Sequence, residues 1–312
     1  MAFRASLLRY IRWVRAPLVV GLGRIGVAIA GLAPNLPGAG PSVTNLAALA
    51  TTPAPGVAVA LRAAAQLGCR ARAVGSHGAD LLGQLTRSAL RDAGIDTELL
   101  RATGTSACDI VLVARDGRQR SHHAGDRGEP VTIDPAGILA DAAALLIDGS
   151  DPVTQIAVAT VARARKVPVI LDVLEVHEST AALLAVTDIL LASEREASEL
   201  APRGELTDAL AELLQRGPHA AVITLGREGA IGRHGDKVVR CPAFANPAQL
   251  DSYGAGSVFH GAFAAALLSG LPFARCMELA SAAASLSLGE LGPWGAMPSR
   301  DDVLALTRMR RT

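Results

Sequence analysis

The chain has 312 residues, half of them hydrophobic, 19% charged and only 3% aromatic, with a formal net charge of +1. That length and apolar share supply a large core, as one big α/β domain or one with a small appendage, and the near-neutral charge argues against a nucleic-acid partner. No apolar run reaches the roughly 20 residues that cross a bilayer, so no membrane span is expected. Cys69, Cys108, Cys241 and Cys276 lie far apart, with no Cys-x-x-Cys spacing. That pattern favours small buried thiols in a reducing cytoplasm over zinc ligands or disulfides.

Residues 1–17 read as a basic N-terminal extension. Arg4, Arg9, Arg12 and Arg15 sit among Leu7, Leu8, Ile11, Trp13 and Val14 without an acidic residue. The pattern is open to a membrane-surface or targeting helix and to a dispensable extension, but it lacks the apolar core and cleavage site of a secretory signal. Pro17 to Gly23 is an apolar run closed by glycine, as expected of a first buried strand. Leu36-Pro37-Gly38 and the Thr/Pro/Ala-rich piece up to Pro55 read as loop and short edge strand, and Ala60 to Leu67 as a helix closed by Gly68. Ala107 to Ala114 reads as a strand and Asp116-Gly117 as a hairpin turn. His122 and His123 then alternate faces of the returning strand, which argues against a paired metal site.

Beyond them, strands at 144–147, 167–172 and 189–192 alternate with helices at 152–166 and, for the most part, 197–214. Units of this length predict a mostly parallel sheet covered on both faces by helices. Ala220 to Thr224 reads as a buried strand running into Thr224-Leu225-Gly226 and Gly229, followed by a hairpin at Gly235-Asp236. Further on, Gly254, Ala255 and Gly256 let the backbone turn tightly, and the apolar run from Ala262 to Leu268 reads as a helix whose N-terminus faces that turn. Alone, such a corner is either an anion site or an ordinary helix start.

The stretch Asp251-Ser252-Tyr253-Gly254-Ala255-Gly256-Ser257-Val258-Phe259-His260-Gly261 resembles the C-terminal signature of the PfkB, or ribokinase-like, carbohydrate kinases, Asp-Thr-x-Gly-Ala-Gly-Asp-x-Phe-x-Gly. The segment from Arg72 through Asp80 and Gly83 to Gly94-Ile95-Asp96 is similar to that family's strand, turn and helix; His77, in the turn, is expected to face solvent. The resemblance runs from about Leu18 to Leu306. It implies one ribokinase-like α/β sandwich over residues 18–312, with a mostly parallel sheet and a small β lid built from strands at about 41–55 and 106–127. It further implies ATP and Mg2+ as cofactors, nucleotide contacts from Thr224, Gly226, Gly229 and Asp251, an anion hole at Gly254, Ala255 and Gly256, and a sugar beneath the lid. A homodimer paired through the lid is another implication.

Several positions depart from the family pattern. Ser257 stands where the family places the Asp that takes the proton from the sugar hydroxyl. Ala28 matches the sugar-binding Asp, and Val59, in the run that begins at Ala54 and includes Gly56, matches the sugar-binding Asn. Leu174 and Val176 replace an Asn and an Arg. Of the Asn-x-x-Glu motif that organises water and magnesium, Glu196 remains and Ser193 replaces the Asn, although Ser-x-x-Glu is also a plain helix capping box.

Loss of a general base typically reduces rate by roughly 10² to 10⁴, and each unpaired substrate hydroxyl costs about 1–3 kcal/mol. Two expectations therefore stand. One is an ATP-dependent kinase acting on a hydroxyl of a small sugar-like substrate, impaired at Ser257, with that serine or nearby His260 as substitute base. The other is a catalytically silent, nucleotide-responsive binding or regulatory protein that acts through a protein partner.

Overall fold

A computed structural model describes residues 15–38, 44–125, 133–202 and 204–310. Most of the N-terminal extension therefore lies outside the described residues. The strands are β1 (Leu18–Leu22), β2 (Val27–Ala33), β3 (Ala48–Pro53), β4 (Arg70–His77), β5 (Leu100–Ala102), β6 (Cys108–Ala114), β7 (Gln119–Ala124), β8 (Ala142–Ile147), β9 (Val169–Asp172), β10 (Ile189–Ser193), β11 (Ala220–Thr224), β12 (Ala230–His234) and β13 (Lys237–Cys241). The helices are α1 (Val57–Gln66), α2 (Leu81–Asp92), α3 (Pro135–Ile138), α4 (Pro152–Ala164), α5 (Thr180–Ala185), α6 (Glu194–Leu200), α7 (Leu206–Leu214), α8 (Ala255–Leu268), α9 (Phe273–Leu286) and α10 (Arg300–Met309).

Nine strands form the main sheet in the order β13-β12-β11-β10-β9-β8-β1-β4-β5. Only β12 runs against the rest. The central strands are unbroken apolar runs because both faces are covered, which removes the alternation seen in half-exposed sheets. One face packs against α1, α8, α9 and α10, the other against α4 to α7. The ribokinase-like sandwich expected from the sequence is present.

The second sheet is the lid, in the order β3-β2-β6-β7. Its central strand β2 comes directly after β1, and β2 pairs in parallel with β6 while β3 and β7 close the edges antiparallel. The lid therefore draws on Val27–Ala33 as well as on the two segments read from the sequence. Ala28 is the second residue of β2 and fully buried.

Two other placements differ from the sequence reading. His77 is not a solvent-facing loop residue: it ends β4, is 5% exposed and lies beneath α2, where a Cβ on Gly83 would come within 2.7 Å of its Nδ1. Strand pairing with β5 extends β4 through the expected turn. The helix expected from Ala60 begins at Val57, so Val59 lies inside α1 with no exposed surface.

Candidate active site

Four parallel strands carry polar groups at their C-terminal ends. Asp148 follows β8, Asp172 ends β9, Ser193 ends β10 and Thr224 ends β11. Open α/β sheets bind ligands along this edge. Facing it, the first turn of α8 comes down from the other layer, and the lid stands over both.

Glycine brings α8 this close. A Cβ on Gly261 would lie 1.9 Å from the Ala60 carbonyl oxygen, so α1 and α8 touch backbone to backbone there. This contact sets the N-terminus of α1 beside that of α8, and the Gly56 N–H donates to Ser257 Oγ at 2.8 Å. Gly56 itself has φ 103°, a conformation in which only glycine is unstrained.

The α8 N-terminus has the properties of an anion site. Gly254 caps it in the left-handed region at φ 89°, and no side chain caps the helix. Of the first-turn N–H groups, that of Ala255 donates to the Ser252 carbonyl at 3.2 Å, while those of Gly256 and Ser257 have no acceptor within the helix. A Cβ added to Gly256 would meet nothing within 4 Å, so that turn is open to a ligand. Asp251, expected on the nucleotide side, braces the loop instead: its Oδ1 accepts from the Tyr253 N–H and its Oδ2 from the Gly292 N–H, each at 2.8 Å. Burial raises its pKa, which the two backbone donors oppose.

Thr224, Gly226 and Gly229 line the corner between β11 and β12, two strands from β9. Gly229 is required there, since a Cβ would meet the Cys241 carbonyl oxygen at 2.1 Å. Glu196 and Ser193 form the capping box of α6. Glu196 Oε2 accepts from the Ser193 N–H at 3.0 Å and from its hydroxyl, and Oε1 pairs with Arg195 at 2.5 Å. Both carboxylate oxygens are thus engaged, and among the described residues no three His, Cys, Asp or Glu side chains converge to hold a metal.

Close to His260 lies a buried acidic group that the sequence reading marked only as the end of a strand. Asp172 is 8% exposed and its Oδ2 has no hydrogen-bond partner. Burial, then the charges of Asp148 and Glu196, push its pKa up to about 7, and only the Ser257 hydroxyl acts in the other direction. Asp148 is satisfied: it accepts from the Arg24 N–H at 3.3 Å, from Ser150 Oγ at 2.6 Å and from Gln155 Nε2 at 2.9 Å. Gly23 leaves it room, since a Cβ there would lie 2.3 Å from Asp148 Oδ2.

His260 is no substitute base. It is fully buried, neither ring nitrogen has a partner, and its Nδ1 stands 3.7 Å from Asp172 Oδ2. Burial pushes its pKa down to about 3, so it remains neutral and out of reach of a substrate.

A second polar cluster joins the lid to the anion loop. Tyr253 OH donates to Asp109 Oδ2 at 2.6 Å, and His123 Nδ1 meets Asp109 Oδ1 at 2.6 Å. Asp109 pairs in parallel register with Ala28, so both side chains leave the same face of the lid. The sequence reading missed this cluster, which joins residues up to 144 positions apart. Asp148 and Asp172 did carry a signal: each is an Asp that closes a buried apolar run.

The pattern of the pfkB family carbohydrate kinases matches residues 49–300. The chain belongs to that family. Curated relatives include the ribokinase of Lactococcus lactis, 30% identical over 152 residues, and that of Arabidopsis thaliana, 29% identical over 252 residues. These matches take in 49% and 75% of this chain, and they span 49% and 66% of the relatives' own length. The crystal structure of the Arabidopsis ribokinase complexed with ribose and ATP superimposes with a TM-score of 0.82 at 27% identity, over 94% of this chain and 99% of that one. The pfkB match takes in β6, β7 and most of β3 of the lid, the α1 corner and the first turn of α8, and it begins after β2.

Proposed function

We propose that the protein is an ATP-dependent kinase that transfers a phosphoryl group to a hydroxyl of a small sugar-like substrate bound beneath the lid. The observation that carries this reading is the uncapped, ligand-accessible first turn of α8, set beside Gly56 and Ser257 under the lid. Phosphoryl transfer depends mainly on positioning and charge neutralisation. The N–H groups at Gly256 and Ser257 supply donors for the transferring oxygens. The corner at Thr224, Gly226 and Gly229 holds the nucleotide's other end. Magnesium would be held chiefly by the nucleotide phosphates, since the Glu196 oxygens already hold Ser193 and Arg195. Two copies pair through the outer face of the lid, where Leu46, Leu49 and Ile110 are exposed.

The second reading is a catalytically silent, nucleotide-responsive protein that acts on a protein partner. One observation favours it: Ala28 and Val59 are fully buried and apolar, so two family sugar positions offer no hydrogen bond. An ADP-release assay over a panel of sugars and nucleosides separates the two. Turnover on any acceptor supports the kinase, and ATP binding without turnover on the whole panel supports the silent protein.

A further inference from the structure

Asp109 is the acidic residue of the lid: no other residue of β2, β3, β6 or β7 carries a carboxyl group. Side chains alternate along β6, so Asp109 shares a face with Val111 and Val113 while exposed Ile110 points away. That shared face is the underside of the lid, because the two valines and Ala30 form a buried cluster against which Tyr253 and Leu291 pack. Tyr253 directly precedes Gly254, the residue that caps the open first turn of α8. Its hydroxyl donates to Asp109 Oδ2 at 2.6 Å. Oδ2 is therefore aimed out of the lid, at the space between lid and turn. Under the kinase reading, that is where an acceptor lies to meet a phosphoryl group held on the turn.

The rest of the cluster keeps Asp109 in place and ionised. Its Oδ1 meets His123 Nδ1 at 2.6 Å, and the Arg24 guanidinium stands 3.7 Å from the same oxygen. Arg24 is fixed in the crossing from β1 to β2, where its backbone N–H donates to Ser150 Oγ at 2.7 Å. An ionised carboxylate only accepts hydrogen bonds, so the chemical complement of Oδ2 is an O–H or N–H donor. Tyr253 presents such a hydroxyl from the chain itself, and burial, then Asp109, raise its pKa, so it stays the donor. Ala28, paired with Asp109 on β2, has no polar side-chain atom. On the two central strands of the lid, Asp109 is thus the group that its underside offers to a hydroxylated substrate.

Resting on the kinase reading, we propose that Asp109 is the carboxylate that binds the acceptor, and that the Tyr253 hydroxyl holds its place until a hydroxyl of the sugar-like substrate displaces it. The exchange replaces one charge-assisted O–H hydrogen bond with another, so Asp109 is never left unpaired. The hydroxyl bound by Asp109 is not the one that reacts. Tyr253 is a positioning residue, and its release frees the backbone next to Gly254 as the acceptor arrives. An acceptor lacking the hydroxyl leaves Tyr253 on Asp109 and the space beneath the lid closed.

The test compares the wild-type full chain with D109N and Y253F over the sugar panel, in the presence of ATP and magnesium. Each sugar is scored by the rise in melting temperature that it causes, which needs no turnover, and by KM and kcat in the ADP-release assay. Asn keeps the shape of Asp and still accepts from Tyr253, so D109N removes the charge alone. It raises the acceptor KM by about tenfold or more, abolishes the sugar-induced rise in melting temperature and leaves the KM for ATP in place. Y253F has the opposite sign. With no phenol hydroxyl to displace, its acceptor KM falls severalfold and the sugar-induced rise grows, although the variant without sugar melts lower than the wild type. A pair that merely stiffened the lid would weaken acceptor binding in both variants. An unchanged or lower acceptor KM in D109N, or a higher one in Y253F, overturns the assignment, as does a panel in which no sugar shifts the melting of either the wild type or Y253F. Sugar-induced shifts that follow the expected order without any ADP release keep Asp109 as the binding group and overturn the kinase reading instead.

Discussion

Replacing Asp172 with Asn should make the protein more stable, and increasingly so as pH rises. Asp172 is 8% exposed and its pKa is pushed from 3.8 up to about 7, by burial first and by Asp148 and Glu196 next. The native state therefore holds a proton that the unfolded chain releases at a lower pH. Stability contributed by the protonated carboxyl is complete below about pH 4 and is lost progressively as pH climbs toward 7. Each pKa unit corresponds to about 1.4 kcal/mol, so the full penalty is of order 4 kcal/mol, of which about 2–3 kcal/mol develops between pH 5 and pH 8. Asn is isosteric and uncharged, so the variant escapes that penalty. At roughly 2 °C per kcal/mol for a domain of this size, D172N should melt about 5 °C further above the wild type at pH 8 than at pH 5. Differential scanning calorimetry at the two pH values reads this directly, and titrations common to both proteins cancel in the difference. A melting difference independent of pH, or larger at pH 5, refutes the buried, charge-crowded carboxyl described here. A carboxylate retained at that penalty fits a trade of stability for activity.

Three other perturbations follow from the same geometry. His260→Leu should flatten the loss of stability in acid: burial holds the imidazole pKa down at about 3, so below about pH 6.5 the unfolded chain gains a proton that the native state refuses. Urea midpoints at pH 4.5 and pH 7 measure it, and an unchanged acid loss refutes it. Gly261→Ala puts a Cβ 1.9 Å from the Ala60 carbonyl oxygen and must spread α1 from α8. It should cost about 1–3 kcal/mol or more in urea unfolding and weaken ATP binding as Gly56 moves off Ser257. Tyr253→Phe removes a 2.6 Å donor from Asp109, a carboxylate that is 2% exposed, and should cost about 1–3 kcal/mol in thermal unfolding.

The sandwich was legible from local patterns. Apolar runs such as Leu145 to Ile147 and Val169 to Leu171, spaced by helix-length segments, predict a covered parallel sheet, and Gly254 to Gly256 mark the anion corner. What escaped was made by long-range pairing. Val27–Ala33 follows β1 so closely that nothing local marks its departure into another sheet. His77 was read as exposed because its turn-like neighbours give no sign of the pairing with β5 that extends β4 over it. α1 starts at Val57, three residues before the run of helix formers that marks it in the sequence. Asp172 was visible as a strand end, but its significance depends on Ser257 and His260, more than eighty positions later, being laid over it by the α1–α8 contact. The capping box at Ser193 and Glu196, by contrast, is a three-residue pattern and was readable as such.

The central claim is that the first turn of α8 receives the phosphates of a nucleotide. Calorimetric titration of ATP with magnesium into the purified full chain tests it most directly, with Gly256→Asp, which places a negative charge at the open turn, as the paired control. The account predicts a saturable isotherm for the wild type and a loss of at least tenfold in affinity for the variant. No heat of binding in the wild type, or equal affinity in both proteins, would contradict it.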